Sequence, residues 1–158
     1  PSDIVDQLQR KFKETGGDLG AMAREIVTLS AIWDTPLTKV KSPSELVISV
    51  LRMLGPPEKP KQMIQPLRLL GQLPFAAPSP AGWPDTAKDW ISPESLLRRI
   101  ELMDLLARRQ ATRLSPVTLA EQAFGPVARE ETLLAIKRAP SRRVALSLLL
   151  SSPEFQRR

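Results

Sequence analysis

Four Ser-Pro pairs stand directly before apolar runs with helical spacing, and they limit where the helices of this chain can begin. A serine just before a helix accepts hydrogen bonds from its first N–H groups, and proline in the first turn has no N–H to leave unpaired. Because capping explains the pairs fully, we interpret them as structural rather than as phosphorylation sites. They predict helix starts at Ser42, Ser92, Ser115 and Ser152.

The 158 residues include 16 prolines, about twice the ordinary share, yet no run alternates as a half-buried strand does. We therefore predict an all-α fold, an irregular bundle of seven or eight short helices with a Pro/Gly/Trp-rich loop at about 71–90. The predicted helices lie near 2–15, 18–33, 43–54, 61–70, from 93 onwards, 116–124, 129–138 and 142–150, with single turns at 85–90 and 153–155. Pro66 should kink the fourth of these or mark its true start.

Helical spacing also predicts which side chains face the core. In the first two helices these are Ile4, Val5, Leu8, Phe12, Leu19, Met22, Ala23, Ile26, Val27 and Leu29. In the longest helix they are Leu96, Leu97, Ile100, Met103, Leu106 and Ala107.

The loop at about 71–90 has two interpretations. In the first, its prolines hold an extended path, Gly82 permits a tight turn, and Phe75, Trp83 and Trp90 anchor the loop on the helices. In the second, the loop binds a ligand through Trp83, Asp85, Thr86, Asp89 and Trp90.

Asp85 and Asp89 would share a face of a helical turn and could receive a hard cation or a sugar hydroxyl. Two carboxylates without a third oxygen ligand nearby are a weak indication, so we favour the scaffold interpretation.

Basic residues concentrate in the second half of the chain. Residues 92–158 carry 12 basic and 7 acidic side chains, out of a net charge of +6 for the whole chain. The candidate basic face comprises Arg98, Arg99, Arg108, Arg109, Arg142 and Arg143. Such runs are typical of solvated helix faces, and arginines near helix C-termini also oppose the helix dipole. The alternative is a surface that docks anionic lipid or a polyanion.

We predict no nucleic-acid partner, because base stacking needs exposed aromatic side chains and the seven aromatics here lie mostly at apolar positions.

Cysteine and histidine are both absent. Their absence excludes disulfides, thiolate nucleophiles, cysteine or histidine metal sites and every triad with an imidazole base. The sequence neither excludes nor supports acid–base catalysis by paired carboxylates. We therefore predict no catalytic residue, no metal and no cofactor, and we expect this chain not to be an enzyme by itself. No apolar run is long enough to span a bilayer, and no segment of this sequence resembles a signal peptide.

Several segments resemble, in the same order, the C-terminal third of the bacterial family called domain of unknown function 1800. They are Thr15–Leu19 leading to Ser30–Trp33, Lys41–Val47, Gly71–Thr86 and Leu149–Arg158. The resemblance implies a longer protein, commonly exported, with no established activity and with histidine-bearing motifs N-terminal to the matched region. The chain also starts at Pro1 without a methionine. We accordingly expect residues 1–158 to be one helical domain, a C-terminal fragment, located in the periplasm or outside the cell.

These expectations favour a non-enzymatic helical scaffold or interaction portion of a longer exported protein. Its partner would be the missing N-terminal part of the same polypeptide, and the apolar surface left uncovered could also support a homo-oligomer. The alternative is a carboxylate-based hydrolase or glycan-binding site around the Gly82–Asp89 loop.

Overall fold

The computed structural model describes residues 2–34 and 37–158, and in these ranges it contains helices and no strand. The prediction of an all-α fold is thus confirmed. The α-helices are α1 (Ser2–Glu14), α2 (Leu19–Thr28), α3 (Ser30–Trp33), α4 (Pro43–Leu54), α5 (Ile64–Leu69), α6 (Ala87–Trp90), α7 (Pro93–Gln110), α8 (Pro116–Phe124), α9 (Glu130–Lys137), α10 (Arg142–Ser151) and α11 (Pro153–Gln156). Two 3₁₀ turns, Pro60–Met63 and Gly125–Val127, precede α5 and follow α8.

The chain divides into two compact units, Pro1–Pro36 and Leu37–Arg158, here called the N-terminal and the C-terminal unit. The expectation of a single domain stays a prediction. No helix among the described residues is both long and apolar enough to cross a membrane.

In the N-terminal unit, α1 and α2 pack against each other. Asp18 caps α2 by accepting hydrogen bonds from the N–H groups of Gly20 and Ala21, at 2.8 and 3.1 Å. The two long helices are also joined by a hydrogen bond from Gln7 Nε2 to Glu25 Oε1, 2.8 Å long.

The prediction that the apolar positions of α1 and α2 face inward is largely wrong. Leu29 is buried and Ile4, Leu8 and Met22 are half-buried, but the other six are exposed: Val5, Phe12, Leu19, Ala23, Ile26 and Val27. A pair of helices with one further turn covers only one side of each helix, so the remaining apolar side chains of this unit meet solvent.

The core of the C-terminal unit forms around α10, which packs against α7, α8, α9 and α11. Its fully buried side chains are Leu46, Met103, Ala107, Ala120, Leu146, Leu149 and Leu150. Because other helices cover α10 on several sides, most of its side chains are apolar and follow one another in the sequence.

The four Ser-Pro pairs predicted to begin helices do so. Ser42 forms a capping box with Glu45, and the hydroxyls of Ser92 and Ser152 accept from the N–H groups of Ser95 and Phe155. At the fourth pair, Ser115, the hydroxyl caps no backbone N–H group. There the proline alone favours the helix start.

Helix α7 departs from its predicted orientation. Met103 and Ala107 are buried as expected, but Leu96, Leu97 and Ile100 are exposed, and Arg99 and Leu102 are buried instead. The buried face is rotated from the predicted one, because hydrogen-bond acceptors inside the unit accommodate an arginine that spacing alone would place in solvent.

The loop after α5 is irregular up to α6, as predicted. Gly82 has a φ of +91°, a left-handed value that favours glycine, within the turn preceding Trp83. Phe75 is fully exposed, so its predicted role as an anchor is wrong. The prolines and Gly82 keep the loop at the surface, and the apolar anchoring comes from its C-terminal end.

Candidate functional site

An apolar cleft of about 540 Å³ opens in the C-terminal unit between α4, the segment of α5 with its preceding 3₁₀ turn, and α7. Its lining comprises Val47, Val50, Leu51, Pro57, Gln62, Met63, Gln65, Pro66, Leu69, Leu102, Met103, Leu105, Leu106 and Arg109. Eleven of these 14 residues are apolar. A cleft of this size and lining falls within the range of small-molecule sites.

The cleft runs from an exposed rim to the core. Leu69 and Leu105 at the rim are exposed, whereas Val50 and Met103 are buried side chains of the main core. Arg109 follows Leu105 by one helical turn, so both lie on one side of α7. No local pattern in the sequence points to this cleft, because its walls come from three segments, 47–51, 57–69 and 102–109, that meet only in the folded chain.

The two tryptophans of the predicted binding loop lie together. The ring centroids of Trp83 and Trp90 are 6.3 Å apart with the planes tilted by 47°. Trp90 is buried, and its indole N–H donates to the carbonyl of Pro84 at 3.1 Å. A buried ring with its only donor used inside the loop serves as an anchor, as the scaffold interpretation expects.

The two aspartates of that loop are each engaged by a different neighbour. Asp85 Oδ1 lies 2.6 Å from Lys39 Nζ, and this hydrogen bond, together with the charge of Lys39, lowers the pKa of Asp85. Asp89 accepts a hydrogen bond from the hydroxyl of Thr86. Only Asp89 lies within α6, so the two carboxylates do not share a helical turn. Nor does any cluster of three potential metal ligands occur in ranges 2–34 and 37–158.

Five of the six arginines predicted as a basic face, all but Arg99, are exposed, and their role as a surface stays a prediction. Arg99 is buried, which contradicts its place on a surface. Arg98 pairs with Glu94, and Arg108 and Arg143 share the carboxylate of Asp104. The hydrogen bonds from Arg143, first of all, hold the pKa of Asp104 below its ordinary value. Arg109 and Arg142 form no ion pair among the residues described.

Buried Arg99 belongs instead to a set of contacts that holds the C-terminus. Its guanidinium donates to Gln156 Oε1 at 3.0 Å and to the carbonyl of Lys41 at 2.8 Å. Lys41 Nζ in turn donates to the carbonyl of Phe155 at 2.7 Å and lies 4.7 Å from the centre of the Phe155 ring. Burial lowers the pKa of both cations.

Backbone pairing completes this attachment. Lys39 and Arg158 exchange two N–H···O hydrogen bonds of 3.0 and 2.8 Å, and the Lys41 N–H donates to the carbonyl of Gln156 at 2.9 Å. The side-chain amide of Gln156 also donates to the carbonyl of Leu150 at 2.8 Å. We call the residues Pro153–Arg158 with these contacts the C-terminal clasp. In the sequence, the clasp is indicated only by the polar residues that follow the Ser152-Pro153 pair.

Glu154, inside the clasp, is a buried carboxylate with three donors on one oxygen. Its Oε1 accepts from the Arg129 N–H, Arg129 Nε and Thr132 Oγ1, at 3.2, 3.2 and 2.8 Å. Burial acts to raise the pKa of Glu154, but hydrogen bonds from its own N–H, Thr132 and Arg129 outweigh burial and leave the pKa lowered. The charged form of Glu154 therefore contributes to the stability of the folded state.

This charge predicts a loss of stability in acid. Since the pKa of Glu154 is lowered in the folded state, the stabilisation by its charged form is fully present above the ordinary glutamate pKa of about 4.3. This stabilisation is lost as the pH falls through the folded-state pKa. Glutamine does not ionise, so the variant Glu154→Gln lacks this pH-dependent stabilisation. Its urea midpoint should fall less than that of the parent chain between neutral pH and about pH 3. Glu130→Gln, at an exposed position, is the control. An equal acid-induced drop in the Glu154→Gln variant and the parent chain would contradict this assignment.

Comparison with known proteins gives one match. The model of a family described as "Protein of unknown function (DUF1800)" matches residues 1–157. No curated protein and no solved structure matches the chain. The family resemblance read from the sequence is thus confirmed, while the assignment to the C-terminal third of the family stays a prediction.

Proposed function

The chain belongs to the DUF1800 family, and we propose that it is a non-enzymatic helical scaffold or interaction portion of a longer, exported bacterial protein. One observation carries this proposal, the inverted polarity of the first half of α7. Leu96, Leu97 and Ile100 are 43%, 57% and 43% exposed, whereas Arg99 between them is 1% exposed. Three aliphatic side chains are therefore placed outward on a helix whose inner face holds a guanidinium.

These three side chains form a short stripe suited to another helix. Positions i, i+1 and i+4 of a helix lie on one side, and such stripes are normally covered by a packed neighbour. The ion pair between Arg98 and Glu94 lies beside the stripe, as polar contacts do at the border of a protein interface. We assign the covering partner to another segment of the same polypeptide, which explains why a well-formed helix keeps apolar side chains outside.

A non-enzymatic role is supported by carboxylates that are engaged by groups of the chain itself. Asp85, Asp104 and Glu154 each accept hydrogen bonds from cationic or hydroxyl groups. The contacts of the Gly82–Asp89 loop give no support to the hydrolase or glycan-binding alternative, since Asp85 and Asp89 point to separate partners.

Thiol labelling tests the proposed contact. The chain has no cysteine, so Leu97→Cys introduces a unique thiol in this part of the protein. In the 158-residue chain we expect fast labelling, whereas in the longer native protein labelling at this position should be at least about tenfold slower, because a packed neighbour excludes the reagent. Lys88→Cys, at an exposed position of α6, should label equally fast in both.

Three results would contradict the proposal. The first is equal labelling of Leu97→Cys in the two proteins. The second is labelling that slows only with rising concentration of the 158-residue chain, which would make a second copy the partner. The third is a native protein whose intact mass corresponds to this chain alone. Fractionation of the source cells tests export separately, with the protein expected outside the cytoplasmic fraction.

A further inference from the structure

The cleft between α4, α5 and α7 has the chemistry of a lipid-like ligand site. We propose that it binds a single-chain anionic amphiphile, with the apolar chain between the helices and the carboxylate at Arg109. This inference does not depend on the proposed scaffold role, because the cleft and the exposed stripe of α7 consist of different residues.

The walls of the cleft favour a flexible hydrocarbon chain. Its inner end reaches Val50, Leu102 and Met103, all buried and all part of the main core. Met63 lies on the opposite wall, and methionine side chains adapt their shape to flexible apolar ligands. The 540 Å³ cleft lies within the range of pockets that hold such ligands. A hydrocarbon chain placed here would remove apolar surface from water along both walls.

The charge of the rim selects an anion. Among the described residues that line the cleft, Arg109 is the one that is charged, and none is an aspartate or glutamate. Its neighbour Arg108 is neutralised by Asp104 at 2.9 Å, whereas Arg109 forms no ion pair with any residue in 2–34 or 37–158. Arg109 is thus available to a carboxylate from outside the chain, and a guanidinium matches a carboxylate with two parallel hydrogen bonds.

The two glutamines of the lining add donors without adding charge. Gln62 and Gln65 lie on the 3₁₀ turn and α5, across from α7. Their amide N–H groups can satisfy further lone pairs of a bound headgroup. One cation, two amides and an apolar interior fit a molecule with one polar end and one apolar end.

Three amphiphiles with a straight twelve-carbon chain and different head groups test the proposal, namely dodecanoate, dodecanol and dodecyltrimethylammonium, each below its micelle concentration. Binding is followed by NMR of methionine methyl groups in the whole chain. Of the four methionines, Met63 and Met103 line the cleft, and Met22 in the N-terminal unit is the internal reference. We expect saturable shifts of Met63 and Met103 with dodecanoate, weaker binding of dodecanol and the weakest of the cationic probe.

Two substitutions separate the roles of head and chain. Arg109→Ala should weaken dodecanoate binding by roughly five- to tenfold, the effect of one partly exposed charge-assisted contact, and leave dodecanol binding unchanged. Arg113→Ala, an exposed arginine outside the cleft, is the matched control. Leu69→Glu at the exposed rim should weaken the binding of both dodecanoate and dodecanol, since it places a carboxylate at the entrance of the cleft.

The proposal is wrong if the three probes bind equally, if Met63 and Met103 do not shift, or if Arg109→Ala behaves as Arg113→Ala does. It is also wrong if an acidic amphipathic peptide shifts both methionines while dodecanoate does not. That last result would make the cleft a groove for a partner helix.

Discussion

Removal of Pro153–Arg158 is expected to abolish the cooperative unfolding transition of the C-terminal unit. The deletion takes away the buried side chains of Phe155, Glu154 and Gln156. Loss of one buried phenylalanine alone costs roughly 3–5 kcal/mol. A domain has about 5–15 kcal/mol of stability in total, so the clasp accounts for a large share of it. The deletion also leaves Arg99 and Lys41 without Gln156 and Phe155 as acceptors.

Urea unfolding followed by circular dichroism measures this effect on the whole chain with and without its last six residues. We expect the truncated chain to lose its sigmoidal transition. Arg157→Ala is the control, because this side chain is exposed and the substitution keeps the backbone pairing of the clasp. A truncated chain with the midpoint and slope of the parent would show that the clasp does not support the fold.

Arg99→Ala is expected to destabilise the C-terminal unit by about 2–4 kcal/mol, from a cavity and from two buried acceptors that lose their donor. The acceptors are the Lys41 carbonyl and Gln156 Oε1, on segments that Arg99 joins. Arg98→Ala, one residue away, removes an exposed ion pair with Glu94 and should cost under about 0.5 kcal/mol.

Arg99→Met distinguishes the two causes of this loss, since methionine restores most of the apolar volume but no donor. We expect its stability, measured by urea unfolding, to lie between those of the parent and Arg99→Ala. An Arg99→Met chain as stable as the parent would show that relief from burying a charge offsets both hydrogen bonds. The role assigned to Arg99 would then be wrong.

The sequence predicted the helices better than it predicted the candidate sites. Asp85 and Asp89 have a spacing that suggests one face of a helix, but α6 begins after Asp85, and Lys39 holds the first carboxylate. Because that partner lies 46 residues away in the sequence, no local pattern points to it. The cleft was missed for the same reason, since Val50, Met63 and Arg109 meet only when three separate segments pack.

The sequence by itself determined the helical class and the starts of α4, α7, α8 and α11, because Ser-Pro signals act between residues close in sequence. A serine cap to the N–H three residues on serves α4, α7 and α11, and proline alone serves α8. Only the tertiary structure decided which face of each helix is buried. In α7, the spacing of aliphatic residues predicted Leu97 inside and Arg99 outside, and the reverse holds. The physical reason is that Arg99 can be buried only where donors find acceptors, and these come from Lys41 and Gln156, which lie 58 and 57 residues away.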